Sequence, residues 1–336
     1  MTDSPLATAR HYRQHFIQQL QQLLEFEELG AFILVVANAS MDRNILAQLK
    51  PRIEQRFQFF TQQIKRSTDY PADDLDVFLK LVKLGLDNIQ HSSTRVVSDW
   101  TLLFNPLRSL RPARNSEKKD VKLYQSFDAG AFHFNKPFLA RERLWKGSIA
   151  AMDISLFYNK FPFADYHSLL LINAIEEKPQ WLRQQDCQDI ATFMHTLSGW
   201  DELGLAYNSL AAYASVNHQH WQMVLSKQPY PIEQPHWNHN GGQRDYPIDV
   251  QCFKSLPAAW QEIKYLQNSN QAFNLFIRHQ KTYLVKRKKQ GEVDLVDWAG
   301  GLAWSELAGA FTLTRLSDYE NLTAGQIEQQ MGLLKP

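Results

Sequence analysis

The apolar residues of this 336-residue chain change their period near residue 90. In residues 4–24, 42–64 and 72–90 they recur at the three-to-four spacing of amphipathic helices, among Gln, Arg and Asp. Gly30 ends or interrupts one of these helices, Pro51 kinks or restarts the next, and Tyr70-Pro71 marks a further break. After residue 90 the apolar residues gather into short β-branched and aromatic runs, at 99–105, 166–172, 214–225, 248–253, 273–277 and 282–286, which predicts strands. RHQK at 278–281 reads as a hairpin connection, so the strands on either side of it pair antiparallel. Helices are expected at 185–208 and at 323–331, the second entered through a cap-like Asn-Leu-Thr. Residues 108–120, with Pro112 and seven charged side chains, read as a mobile loop. The expectation is an α+β chain, with a helical region over 1–95 and a mixed body over 96–336.

Charge and cysteine usage exclude some function classes. Lys and Arg number 36 against 35 Asp and Glu, so net charge offers no attraction to nucleic acid or an anionic membrane. Two cysteines, Cys187 and Cys252, make no disulfide framework, and the N-terminal MTDSPLATARHYRQ lacks the apolar centre of a secretory signal. The cytoplasm is the expected compartment. AFILVVANA at 31–39 is the longest apolar stretch and is too short to span a bilayer.

Residues 213–222 read YASVNHQHWQ. On an extended strand His218, His220 and Gln222 would line one face, with Gln219 and Trp221 turned away. Two histidines in such a row could ligate a metal, with His236 or His239 as a third ligand. No Asp, Glu or Cys stands at a metal-site spacing to either pair. The plainer alternative is that both histidines satisfy core polar groups or face solvent.

The row fits the H-x-H-x-Q motif of the transferase and phosphorylase branch of the histidine-triad superfamily, which the chain resembles in order from about residue 100 to 330. Tyr207-Asn208 and Ala214-Ser215 resemble the aromatic-Asn and Ala-Ser pairs before the motif, and FYNKFPFADYHSLLLI at 157–172 resembles its Asn-x-Phe-Pro, His and strand segment. WTLLFNPLRS at 100–109 looks like the Phe-Asn-Pro-x-Arg segment of the GDP-hexose phosphorylases. FNLFIRHQKTYLVKRKKQ and WSELAGAFTLTRLSDYENLT resemble that group's hairpin and closing pattern. The diadenosine tetraphosphate phosphorylases are the other near group. The implied fold is the histidine-triad-like antiparallel sheet with helices.

The implied chemistry is a phosphorylase acting on a nucleoside-diphosphate sugar, GDP-hexose first, or on a dinucleoside polyphosphate, with inorganic phosphate as acceptor. By motif position His220 is the nucleophile that carries the nucleotidyl group, His218 orients it or touches phosphate, and Gln222 donates to a phosphoryl oxygen. An imidazole with a pKa near its ordinary value of about 6.5 is mostly neutral at pH 7, as attack requires. An amide is no general acid or base, and the hydrolytic branch has a third His at this place. Asn208 and Ser215 match residues that bind the transferred phosphate, Asn159 and His167 match nucleotide-side positions, and Arg108 matches an arginine on the distal phosphate.

Three of these have a plainer structural reading: helix or turn caps for Asn208 and Ser215, a core histidine for His167. The basic run at 286–289 reads as a solvated strand end. The resemblance implies no cofactor, metal or nucleic acid partner, and a homodimer is compatible with it. A hydrolase on the same scaffold, or a catalytically silent nucleotide-binding module, are the alternatives. Two departures bear on the substrate: Ser209 and Tyr213 stand where relatives usually carry glycine, so Tyr213 would narrow the phosphate pocket. The cysteine pair of some relatives is missing as well.

Overall fold

The computed structural model describes residues 4–66, 69–89, 91–111 and 121–336. Four helices open the chain: α1 (Ala9–Leu23), α2 (Leu29–Ala39), α3 (Arg43–Gln63) and α4 (Ala72–Leu84). Thr8 caps α1 by accepting from the His11 N–H, and Asp42 caps α3 by accepting from Asn44 and Ile45. Pro51 lies inside α3 and does not end it. Gly30 does not stop a helix either; it sits in the first turn of α2, where a Cβ would meet the Asp74 Oδ2 at 2.6 Å. Pro71 directly precedes α4, and Gly85 at φ 80° terminates it.

The rest of the chain supplies β1 (Ser93–Val97), β2 (Trp100–Phe104), β3 (Arg143–Ile149), β4 (Met152–Tyr158), β5 (Ser168–Ile172), α5 (Gln184–Thr196), β6 (Leu203–Asn208) and β7 (Trp221–Leu225). It continues through β8 (Val250–Phe253), α6 (Leu256–Asn268), β9 (Phe273–Arg278), β10 (Lys281–Lys286), α7 (Trp304–Leu307), β11 (Ala310–Leu313), α8 (Leu316–Asn321) and α9 (Ala324–Leu333). Eight strands form one antiparallel sheet in the order β3-β4-β5-β7-β6-β9-β10-β8, and β1-β2-β11 form a second, small sheet. The hairpin between β9 and β10 turns through His279 and Gln280, both at positive φ, the conformation that suits the twist of a two-residue connection.

The central strands of the large sheet are buried on both faces, as β6 and β9 show. Leu203, Leu205 and Tyr207 of β6, Trp221, Met223 and Leu225 of β7, and Leu275 and Ile277 of β9 pack into the core that contains α1 to α6. Ala206, Val224 and Phe276 point the other way, into a second core with Trp100, Trp304, Phe311 and Met331. A third, small cluster of Phe134, Leu139, Phe157, Leu171 and Val216 covers the opposite end of that second face.

One helix and one strand expectation are corrected. The helix expected over 185–208 ends at Thr196, and 203–208 (LGLAYN) is strand β6. Every β6 residue is buried, so the run lacks the alternation that marks a strand with one wet face. The strand expected over 214–225 begins only at Trp221, which leaves His218 and His220 in the loop before it. The Gln219 N–H donates to the Lys178 carbonyl and the His220 N–H to the Gln180 side chain, so these residues are tied to a loop and a side chain rather than to a ladder. In the expected loop at 108–120, Arg108 belongs to a short 3-10 turn, Pro106–Leu110, and residues 112–120 lie outside the described residues.

No helix among the described residues is long and apolar enough to cross a membrane.

Candidate active site

The site forms on the second face, between the Trp304 core and the Phe134 cluster. β6 and β7 pair with Ala206 opposite Gln222, which sets Asn208 across from His220 one step further along. Gln180 closes that gap. Its Oε1 accepts from the His220 N–H at 2.9 Å, and its Nε2 donates to the Asn208 and His220 carbonyls at 3.0 and 3.2 Å.

The hydrogen bonds fix the tautomers of the two motif histidines. The Phe134 N–H donates to His218 Nδ1 at 3.2 Å, so that nitrogen carries the lone pair, and Nε2–H donates to the Ala174 carbonyl at 3.1 Å. His220 Nδ1 lies 2.8 Å from the His218 carbonyl, which can only accept, so Nδ1 holds the proton and Nε2 the lone pair. Among the described residues nothing bonds that Nε2. The Phe134 ring packs on the His220 ring at 5.2 Å. Burial pushes both imidazoles down to about 4, so both are neutral at pH 7. Both ring nitrogens of His218 are engaged within the protein.

Gln222 is half-buried on β7. Its Oε1 accepts from the Trp304 indole N–H at 2.8 Å and from His167 Nε2 at 3.0 Å. An indole only donates, so the atom it meets is the amide oxygen, and the Gln222 NH2 remains unbonded among the described residues. Asn208 repeats the arrangement: its Oδ1 accepts from Asn274 Nδ2 at 2.6 Å and from the Trp304 backbone N–H at 3.2 Å, and its NH2 is likewise unbonded. Ser215 stands exposed in the loop before the motif.

His167 is fully buried, and burial lowers its pKa to about 3, with the Arg108 charge second. Its ring meets Gln222 and the edge of Phe163, and the Asn159 Nδ2 lies 3.2 Å from it. Buried and hydrogen-bonded in this way, it touches Gln222 directly. Arg108 lies over the Phe163 ring, 4.4 Å from its centre, and donates from Nη1 to the Phe161 carbonyl at 2.6 Å. Burial lowers its pKa, against the nearby Glu306 charge, and burial raises that of Glu306. The turn that carries Asn159 is held on all sides: Asn38 donates to the Asn159 carbonyl, Asp74 pairs with Lys160, and Asn105 donates to the Pro162 carbonyl.

Several residues of this network were not singled out in the sequence. Gln180 sits in an aperiodic Lys-Pro-Gln-Trp with no local signal. Asn274 and Trp304 lie in segments read only as family-like, and Phe134 lies where some relatives carry the cysteine pair that this chain lacks. Arg287, in the run read as a solvated strand end, is instead fully buried and donates to the carbonyls of Lys288, Gly301 and Leu302. Tyr213 adopts φ 71°, the left-handed conformation a glycine takes freely, and its ring packs on Gly301. Ser209 has ordinary extended backbone, and its Oγ accepts from the Phe273 N–H.

No cluster of three or more His, Cys, Asp or Glu among the described residues could hold a metal ion. His236 Nε2 lies 3.4 Å from Asp99 Oδ1, and His239 meets the Ile232 carbonyl.

Residues 88–224 match the family model described as the GDPGP1-like, N-terminal domain. Over 250 residues the chain is 25% identical to GDP-L-galactose phosphorylase 1 of Arabidopsis thaliana, an alignment that takes in 62% of this chain. The chain spans 56% of the length of that curated relative. Yeast Ap4A phosphorylase Apa2 superposes with a TM-score of 0.51 at 15% identity, over 79% of this chain and 95% of that one. Its complex with Ap4A gives 0.52 at 14% identity, over 78% and 97%. These likenesses show that the fold is the histidine-triad-like one.

Proposed function

From a chain whose residues 88–224 form a GDPGP1-like N-terminal domain within a histidine-triad-like fold, we propose a nucleotidyl-transferring phosphorylase that cleaves a nucleoside-diphosphate sugar, a GDP-hexose in the first instance. A dinucleoside polyphosphate is the second substrate class. The observation that carries the reading is the His220 ring: neutral, with Nδ1–H held by the His218 carbonyl and Nε2 free.

In the first displacement His220 Nε2 attacks the α-phosphorus of the nucleotide. The P–N bond forms, the bond from that phosphorus to the bridging oxygen breaks, and sugar 1-phosphate leaves with the electron pair. The imidazole ring gains positive character as it attacks, and the His218 carbonyl on Nδ1–H stabilises it. In the second displacement an oxygen of inorganic phosphate attacks the same phosphorus, the P–N bond breaks, and nucleoside diphosphate departs. The NH2 groups of Gln222 and Asn208, with the Ser215 hydroxyl, meet the charge on the phosphoryl oxygens. Arg108, stacked on Phe163 and with one hydrogen bond to a carbonyl among the described residues, takes the distal phosphate, and Asn159 faces the nucleotide. Gln222 cannot take a proton from water, so the nucleotidyl group waits on His220 for an acceptor that is already anionic.

The test is a panel of nucleotide sugars and dinucleotides incubated with and without phosphate, followed by intact-mass measurement. Expected are nucleoside diphosphate and continued release of sugar 1-phosphate only when phosphate is present, no more than one equivalent of sugar 1-phosphate per protein without it, and one nucleotidyl mass added to the wild-type protein but not to His220→Ala. Monophosphate alone at saturating phosphate would establish a hydrolase. Binding without turnover would leave a nucleotide-binding module.

A further inference from the structure

We infer that Trp304 is a positioning residue that aims two amides at once, holding Gln222 and Asn208 with their NH2 groups presented to a phosphoryl group; this rests on the phosphorylase reading of the site. A side-chain amide has a donor end and an acceptor end of nearly equal size. Only the donor end suits an anion, since the acceptor end would repel it. Neither Gln222 nor Asn208 selects that end by itself.

Trp304 makes the selection for both. It carries two N–H groups, on the indole and on the backbone, and neither can accept a hydrogen bond. The indole N–H donates to Gln222 Oε1 at 2.8 Å, and the backbone N–H donates to Asn208 Oδ1 at 3.2 Å. A second donor reaches each oxygen, His167 Nε2 for Gln222 and Asn274 Nδ2 for Asn208. Reversing either amide would set NH2 against two donors.

The aiming residue is itself held. Its ring is 1% exposed, lies face to face on Phe276 at 5.7 Å and 9°, and packs against Phe163 and Tyr230. The chain enters it through Gly300, Gly301 and Leu302, all at positive φ. Arg287 clamps the carbonyls of Gly301 and Leu302, and the Tyr213 ring covers Gly301. The buried cation and the tyrosine at the usual glycine position therefore act on this turn, behind the two amides.

Two substitutions test the inference: Trp304→Phe, and β-(3-benzothienyl)alanine at position 304, which replaces the indole N–H by sulfur at nearly constant shape. With GDP-hexose and phosphate each should lower kcat about tenfold with KM within about twofold, since one aimed donor is lost from the transition state. In a Gln222→Ala background the same change should shrink below about twofold, because the indole then has nothing to aim. An equal loss in both backgrounds would mark a purely structural role and overturn the inference, as would no loss in the wild type.

A readout independent of turnover is the side-chain amide 1H–15N signal of Gln222 on addition of GMP. It should shift in the wild type and fail to do so in the benzothienyl protein. If it does so in a protein that turns over no nucleotide, the positioning stands and the phosphorylase reading falls. An amide that ignores GMP in the wild type, or that responds equally in both proteins, overturns the positioning.

Discussion

Helix α2 and the loop at 218–220 are both buried, and they are held by opposite means. All eleven residues of α2 are inside, and Asn38 is its one polar side chain. His218, Gln219 and His220 are also inside, and all three are polar. The helix is stabilised by area removed from water, roughly 25 cal/mol per Å2 of apolar surface, which many apolar side chains could supply. The loop is stabilised by specific partners: the Phe134 N–H and the Ala174 carbonyl for His218, Trp181 and Asp186 for Gln219, Gln180 and the His218 carbonyl for His220. Burial without those partners would cost about 1 to 3 kcal/mol per group. The difference teaches that the helix tolerates exchange of one apolar residue for another, whereas each polar group of the loop must keep its own counterpart.

The largest effect expected from breaking this contrast is on chemistry alone. His220→Ala should lower turnover by more than about a thousandfold, remove the covalent adduct and leave nucleotide affinity within about tenfold. Ordinary activity in that variant would end the assignment of the nucleophile.

Acid should strike the loop and spare the helix. The folded-state values of His167, His218 and His220 lie below the ordinary value of about 6.5, chiefly through burial, so the unfolded chain binds protons more readily than the folded one. The contribution of these three histidines is thus fully present above about pH 6.5 and is lost as pH falls toward about 4, against a smaller opposite change from the Asp165 carboxyl, which burial raises to about 6. Denaturant midpoints measured from pH 7.5 to 4.5 would check this; a flat profile would refute it.

A paired comparison then separates the two regions directly. Gln180→Leu leaves three backbone groups without their partner and should cost about 3 kcal/mol of stability, with kcat lowered about 10- to 100-fold. Leu34→Ala in α2 should cost about 2 to 5 kcal/mol and leave kcat unchanged wherever the protein is folded. Equal effects on kcat would show that the regions are not separable.

The smallest effect sharpens the contrast from the helix side. Asn38 donates to the Leu34 and Asn159 carbonyls, so Asn38→Ala should cost only about 1 kcal/mol of stability and raise KM for the nucleotide a few-fold. Steady-state kinetics with unchanged kcat is the expected signature.

The same contrast explains what could be read in the chain. Helical spacing exposed α1, α3 and α4, because those elements show on which face area is buried, whereas α2 is buried all round and its run, read by length, bears only on a membrane span. Strand β6 escaped because both its faces are covered and it follows α5 after only a short turn. The alternation in HQHWQ suggested a strand from residue 214, yet the partners that hold His218 and His220 come from residues 134, 174 and 180, which no local period encodes. The motif made His220 legible, and the residues that fix its tautomer were not. Trp304 is 82 residues from the amide it meets, and such a pairing exists only once the sheet has formed.

The strand order has a practical consequence for taking the protein apart. β6 lies between β7 and β9, so the segment matching the family model, which ends at residue 224, stops within β7 and excludes β9. A fragment cut there would uncover the β6 edge along Leu205, Ala206, Tyr207 and Asn208, the residues that pair with β9. An open apolar strand edge invites pairing with another copy, so the isolated 88–224 fragment should self-associate. Adding back the chain through β9 and β10 is the smallest extension that closes this edge with a hairpin.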